Sequence, residues 1–265
     1  MSLALDHIVI TVADLETAFA DYTKLGFTVM RGGEHANGIT HNVLVVFADG
    51  AYLELIAFKR PDPENRWSRV YERTGEGFVD YALLPDNIDA VVAAAQQRGL
   101  DMADPEPGGR HRPDGARLEW KTARSPRSDV PFLCGDVTPR SLRVQEGDVR
   151  RHANGVVGVS GLTIAVQDLD ASLQRNAALL GTHDVGGIQT GVVAGTMART
   201  ATLVLGNSTH LTLAMPTAVE GALATHLAAR GEGPFSVAFR ADWEQGELYH
   251  ALSHGARLSI TAGGS

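Results

Sequence analysis

One strand-and-cap occurs twice in this chain, and few folds accommodate such a copy. Ile8-Val9-Ile10-Thr11-Val12-Ala13-Asp14-Leu15 returns almost position for position as Leu162-Thr163-Ile164-Ala165-Val166-Gln167-Asp168-Leu169, 154 positions on from Asp14 to Asp168. Repetition at this scale marks a duplicated supersecondary unit. In the first copy His7, Val9 and Thr11 alternate with Ile8, Ile10 and Val12, the period of a strand with two different faces. Asp14 then caps a helix whose Leu15, Ala18, Phe19, Tyr22 and Leu25 form an apolar stripe that covers the aliphatic face. His7 is left on the uncovered face.

From that start, Gly26 ends the helix, Phe27 to Met30 reads as a second strand, and Gly32-Gly33 and Asn37-Gly38 read as a loop. Asn42 to Phe47 and Tyr52 to Phe58 flank Asp49-Gly50 as a hairpin. The unit is therefore β-α-β-β-β. Residues 59–77 read as a connection with a short helix around Arg66 to Glu72. A second unit follows, with a strand at Phe78 to Leu84, a cap at Asp86-Asn87, and an amphipathic helix through Ile88, Val91, Val92, Ala95 and Leu100. Its later strands fall near Leu118 to Ala123 and Val130 to Cys134. Residues 135–157 read as a linker. The third unit opens at Val159 and has its hairpin at Thr200 to Leu205 and His210 to Met215. A fourth starts at Pro234, with a strand through Phe239, a helix from about Trp243 to Ser253 and a strand at Arg257 to Thr261, and then stops. The expected fold is α+β: repeated β-α-β-β-β modules forming curved mixed sheets in two pairs, over residues 1–145 and 146–265, with the last module truncated.

With 265 residues and 44% hydrophobic content, the chain can bury a sizeable core. No run of about 18 apolar residues occurs and the N-terminus lacks signal-peptide features, so a soluble, cytoplasmic protein is expected. The single cysteine, Cys134, excludes an intrachain disulfide and a cysteine-based zinc site, and is expected in the core. A net charge of −8 argues against nucleic-acid partners and leaves small molecules.

Five stretches carry a family resemblance: Leu5-Asp6-His7-Ile8-Val9-Ile10, Gly38-Ile39-Thr40-His41-Asn42, Tyr52-Leu53-Glu54-Leu55-Ile56, Arg110-His111-Arg112-Pro113-Asp114-Gly115 with Trp120, and Pro131-Phe132-Leu133. Together they resemble the glyoxalase-like domain proteins of the vicinal oxygen chelate superfamily. The resemblance implies two modules curved around a cup, with a divalent metal held by the first and fourth strands of each. His7 then matches the first-strand ligand and Glu54 the fourth-strand ligand. In the second module Asp80 matches if the stretch before Asp86-Asn87 is one residue shorter; strict spacing lands on Val79. The fourth ligand is either Glu119 or Asp136. Imidazole and carboxylate suit Zn, Ni, Fe or Mn. A metal-free, buried His7–Glu54 pair accounts for the same residues, and burial there is expected to raise the carboxyl pKa into a range useful for proton transfer.

His41 is a further candidate, as general base or substrate contact. If Asp49-Gly50 is a two-residue turn, Val45 faces Glu54 and His41 faces Phe58, so His41 shares the face of Glu54 roughly 13 Å away. Arg110, Arg112, Arg117, Lys121, Arg124 and Arg127 form a basic island, read either as a hairpin over the cup that binds an anionic substrate or as a solvated edge. Arg110, Arg112, Trp120 and Tyr52 are the candidate substrate contacts. In the third module Gly161 stands at the position of His7 and Thr212 at that of Glu54, so the second half is expected to be structural, closing a pseudo-symmetric domain or forming a homodimer surface. His250 and His254, at i, i+4, read as a capping or surface pair on the last helix. Two functions remain open: a glyoxalase-like isomerase, lyase or dioxygenase, and a metal-free protein that binds or sequesters a small molecule.

Overall fold

The computed structural model describes residues 3–35, 38–112, 114–182, 187–243 and 246–262. Asn37 and Pro113 of the motifs above lie outside them.

The first half forms a closed barrel. Its strands are β1 (Ala4–Thr11), β2 (Met30–His35), β3 (Thr40–Val46), β4 (Tyr52–Phe58), β5 (Gly77–Leu84), β6 (Glu106–His111), β7 (Arg117–Ala123) and β8 (Phe132–Asp136), and the order around the barrel is β1-β4-β3-β2-β6-β7-β8-β5. Each module contributes four neighbouring strands, joined where β1 meets β5 and where β2 meets β6. The capping residues act as expected: the Asp14 carboxylate accepts from Thr17 N at the start of α1 (Leu15–Lys24), and the Asn87 side chain accepts from Ala90 N at the start of α3 (Ile88–Gln97). Ile8, Ile10 and Val12 pack outward with Leu15, Ala18 and Tyr22, whereas Val9 meets Ile56, Ala82 and Phe132 inside the barrel. A helix lies over the connection between the modules as read, at α2 (Arg66–Thr74).

The second half is a seven-stranded open sheet, ordered β10-β11-β12-β9-β13-β15-β14. Its strands are β9 (Val156–Ala165), β10 (Gln189–Val193), β11 (Thr196–Val204), β12 (His210–Pro216), β13 (Gly233–Ala241), β14 (Gly246–Glu247) and β15 (Arg257–Ala262). The pairings repeat those of the barrel: Val9 stands opposite Glu54 in β1–β4, and Thr163 opposite Thr212 in β9–β12. Gly161 and Thr212 therefore occupy the places of His7 and Glu54. Both sheets contribute to one hydrophobic core, in which Phe27, Phe47 and Phe239 meet at ring distances of 5.2–6.3 Å. Each such buried ring contributes roughly 1.5–3 kcal/mol.

Four local expectations are corrected. Gly32-Gly33 is not a loop but part of β2, at a bulge between Arg31 and Gly33. The expected last helix is replaced by β14 and a 3-10 turn at His250–Leu252, because Gly246 takes a left-handed conformation (φ +72°) and the edge of β15 offers hydrogen bonds instead. His254 consequently leaves the i, i+4 geometry; it is buried with Nδ1 2.9 Å from Glu76 and its ring stacked on Tyr22, tying the second half to the first. The stretch read as a linker contains α4 (Arg140–Arg143), whose Arg143 is buried at the barrel. Helices α5 (Leu169–Leu180), capped by Asp168, and α6 (Ala222–Arg230) complete the second half.

Candidate active site

A cavity of about 350 Å³ opens inside the barrel. At its centre is Glu54 of β4, only 6% exposed. His7 Nε2 lies 3.4 Å from its Oε2, His35 Nε2 lies 3.5 Å from its Oε1, and Asn42 Nδ2 donates to Oε1 at 2.6 Å. The two imidazoles thus bracket one carboxylate, one at each oxygen. Burial pushes the Glu54 carboxyl up, but His35, His7, the Asn42 amide and Arg110 outweigh it and hold the group below its ordinary value. The expected raised carboxyl is therefore corrected: these neighbours favour the charged form more than desolvation opposes it.

The imidazoles are oriented from behind. Asp6 is the extra residue of a bulge between Leu5 and His7 in the β1–β5 ladder, and a bulge re-aims a side chain. Its carboxylate accepts from His7 Nδ1–H at 2.7 Å and is bound by Arg143 at 2.7 Å and Arg140 at 2.6 Å. Burial would raise the Asp6 pKa, but Arg143, His7 and Arg140 keep it well below the usual carboxylate range. An ionised Asp6 accepts only, so Nδ1 of His7 carries a proton and Nε2 is the nitrogen turned toward Glu54. His35 Nδ1 lies 2.9 Å from the Thr40 hydroxyl, and burial shifts its imidazole toward the neutral form, partly offset by Glu54.

Two glycines make this packing feasible. A Cβ on Gly32 would lie 1.9 Å from Asn42 Oδ1, and one on Gly33 would lie 2.2 Å from the His111 carbonyl oxygen. Asn42 therefore fills the space that a side chain at position 32 would take, and the Arg110 guanidinium donates to the Gly32 carbonyl. A glycine inside a strand marks such close approach.

The other expected site residues divide. Tyr52 lines the cavity, stacked on His7 at 4.7 Å with its hydroxyl bound by Arg143 at 2.8 Å; Trp120 lines it edge-on to His35 at 6.2 Å. Arg110 lines it too, whereas Arg112 does not: it pairs with Asp114 at 2.7 Å beyond the end of β6. His41 is corrected most sharply. The β3–β4 loop has three residues, Ala48, Asp49 and Gly50, so Leu44 rather than Val45 faces Glu54 and His41 faces Ala57. That single step turns His41 to the outer face and Asn42 inward. Cys134 is buried in the barrel as expected, with burial pushing its thiol up to about 12.

Of the implied metal set, His7 and Glu54 come together, but the second-module candidates do not join them. Asp80 faces the barrel interior but is held by Arg66, by Trp67 Nε1 at 2.7 Å and by Arg124 at 3.2 Å. Glu119 pairs with Arg117 near the surface, and Asp136 is bound by Arg140 and Arg143. Among the described residues no group of three or more His, Cys, Asp or Glu is arranged to hold a metal ion.

His35, Asn42, Asp6 and Arg143 join the site without having been expected there from the sequence. A β-α-β-β-β unit requires a strand between Gly26 and Thr40, and reading Gly32-Gly33 as a strand bulge would have brought His35 to the site.

A closed barrel of two β-α-β-β-β modules around a histidine–carboxylate cluster defines a protein of the vicinal oxygen chelate fold. The family model for the glyoxalase-like domain matches residues 5–180, and the chain belongs to that family. Among solved structures, a hypothetical protein from Staphylococcus aureus is similar over 98% of this chain and 99% of its own, with 13% identity and a TM-score of 0.71. A mutant 4-hydroxymandelate synthase from Streptomyces coelicolor is similar over 91% of this chain and 72% of its own, with 17% identity and a TM-score of 0.65. A fusion protein of a xylose isomerase-like TIM barrel and 4-hydroxyphenylpyruvate dioxygenase has a TM-score of 0.53 at 16% identity, covering 91% of this chain and 37% of its own. These likenesses concern the fold. No curated protein sequence matches the chain. No helix among the described residues is long and apolar enough to cross a membrane.

Proposed function

We propose that the barrel cavity is the active site of an isomerase- or lyase-type enzyme that moves a proton on a small oxygenated substrate. The observation that carries this reading is the Glu54 carboxylate bracketed by His7 Nε2 and His35 Nε2 within 3.5 Å. Of the reaction classes expected from the resemblance, proton transfer is the one these side chains perform by themselves. His35, shifted toward the neutral imidazole, is the base; Glu54 stays ionised and stabilises the imidazolium that forms. His7, held through Nδ1 by Asp6, turns Nε2 to the other Glu54 oxygen; with a proton on Nε2 it gives that proton to the substrate as His35 takes one, and the proton on His35 passes through Glu54 to restore His7. The cavity holds no more than a small molecule, since sites of this kind span about 300–1,000 Å³.

The test is deuterium exchange at carbons next to a carbonyl, followed by NMR in heavy water across a panel of small oxo and hydroxy compounds. Wild-type protein is expected to exchange at least one of them, and His35→Gln and Glu54→Gln to lose about 10²–10⁴ in rate. Ligand binding without exchange of any compound would instead support the sequestering reading, which the aromatic walls Tyr52, Trp67, Trp120 and Phe132 also suit.

A further inference from the structure

We infer that the cavity takes a small monocarboxylic acid, with its carboxylate on Arg110 and the carbon or oxygen that exchanges a proton one or two bonds away. This deepens the proposed function and rests on it only for the proton step. Arg110 is 4% exposed and lines the cavity, yet the one hydrogen bond its side chain makes among the described residues goes to the Gly32 carbonyl. The other two arginines of the cavity wall hold acids: Arg143 binds Asp6 and Asp136, and Arg124 binds Asp80. A buried guanidinium without an acid is costly, because a desolvated charge needs an opposite charge and hydrogen-bond acceptors. Arg110 thus faces the cavity as its one lining arginine with no carboxylate in ion-pair contact among the described residues, Glu54 acting on it only at longer range.

Position sets the rest. His35 and Arg110 stand directly opposite in the β2–β6 ladder, and both line the cavity. Side chains so paired diverge from Cβ atoms about 4.5–5.5 Å apart. An acid gripped through its carboxylate by the Arg110 fork therefore presents its adjoining atoms to His35 and Glu54. A carboxylate fits better than a phosphate monoester. It carries one charge against one unpaired cation, and its two oxygens match the guanidinium fork, whereas a phosphate brings up to about two charges beside the ionised Glu54. Part of the remaining wall is aromatic, with the Tyr52–His7 stack at 4.7 Å and Phe132 edge-on to His7 at 5.3 Å, which suits a flat or apolar body on the acid.

The experiment is binding, read by quenching of the cavity tryptophans Trp67 and Trp120, with lactate, pyruvate, mandelate and phenylacetate each set against its amide, and with phenyl phosphate. Wild-type protein is expected to bind at least one acid roughly tenfold or more tighter than its amide. Arg110→Gln is expected to abolish that preference while amide binding persists, and Arg110→Lys to keep part of it. Equal binding of acid and amide, binding of phenyl phosphate tighter than any acid, or no binding of any acid at millimolar concentration overturns the inference. Because the readout needs no turnover, repeating it with Glu54→Gln separates the two ideas. Acid preference without exchange in the wild type would leave this inference standing and remove the proposed reaction.

Discussion

Asn42 donates to Glu54 across the β3–β4 ladder at 2.6 Å, while its neighbour His41 points out of the barrel. The site thus depends on an amide, which keeps Glu54 ionised without competing for its proton. Asn42→Ala removes that donor beside a buried carboxylate and is expected to cost about 1–3 kcal/mol of stability and to raise the Glu54 pKa. His41→Ala is expected to stay within about 0.5 kcal/mol of wild type. Urea unfolding of the two variants, with carboxyl titration by NMR, checks both; a larger loss in His41→Ala would refute the register argument.

Glycine at position 32 is expected to be required for the same reason. Gly32→Ala places a methyl where Asn42 Oδ1 now sits, at 1.9 Å, with an expected cost of about 1–3 kcal/mol. A Cβ on Gly191, in β10, would meet nothing within 4 Å, and the backbone there is ordinary, so Gly191→Ala serves as the comparison. Equal midpoints of thermal unfolding for the two variants would show that Asn42 moves aside freely.

Arg143 is expected to be a stability residue as much as a site residue. It neutralises Asp6, which is fully buried behind His7, and it binds Asp136 and the Tyr52 hydroxyl. Truncating one partner of a buried ion pair costs about 3–5 kcal/mol, here softened because Arg140 also reaches Asp6. Arg143→Ala in denaturant unfolding, together with Arg143→Ala/Asp6→Asn, is the measurement. Removing the Asp6 charge should restore part of the loss, and a double variant no better than the single would contradict the account.

The pH–rate profile separates a base from a bystander. Neutral His35 is the active form, so the rate rises with pH through its pKa. Glu54 holds that pKa up against burial, hence Glu54→Gln should move the acid limb to lower pH as well as slow the reaction. A slowed rate with an unmoved limb would assign Glu54 a purely structural part.

Stability should also fall with acid through His226. It packs edge-on to Phe235 at 5.3 Å, and burial, with Arg230 and Arg257 nearby, pushes its imidazole down to about 4. The unfolded chain takes up that proton near pH 6.5 and the folded chain only near pH 4. The stability is full above about pH 6.5 and declines as the pH falls toward 4. His226→Gln should flatten that slope by roughly 1–2 kcal/mol after allowance for partial exposure, leaving the share of His35 and His152. Unfolding free energies at pH 7 and pH 5 decide it, an unchanged slope counting against His226.

The sequence by itself determined the repeated modules, the caps at Asp14, Asn87 and Asp168, and which face of β1 carries His7. It also determined that Gly161 and Thr212 leave the second half without the His7–Glu54 pair. Those features follow from local periodicity and from one copy's likeness to the other, which need no knowledge of neighbours. Only the tertiary structure decided who meets Glu54. Alternation fixes which residues of one strand share a face, but not how that strand is phased against the next, and the three-residue loop at Ala48 to Gly50 shifted the phase by one. His35 entered through a strand bent at two glycines, and Arg143 came from beyond β8 to bind an aspartate 137 positions earlier. Charge pairing at that separation leaves no periodic trace in a sequence, because it is selected by the closed barrel and not by the chain around either residue.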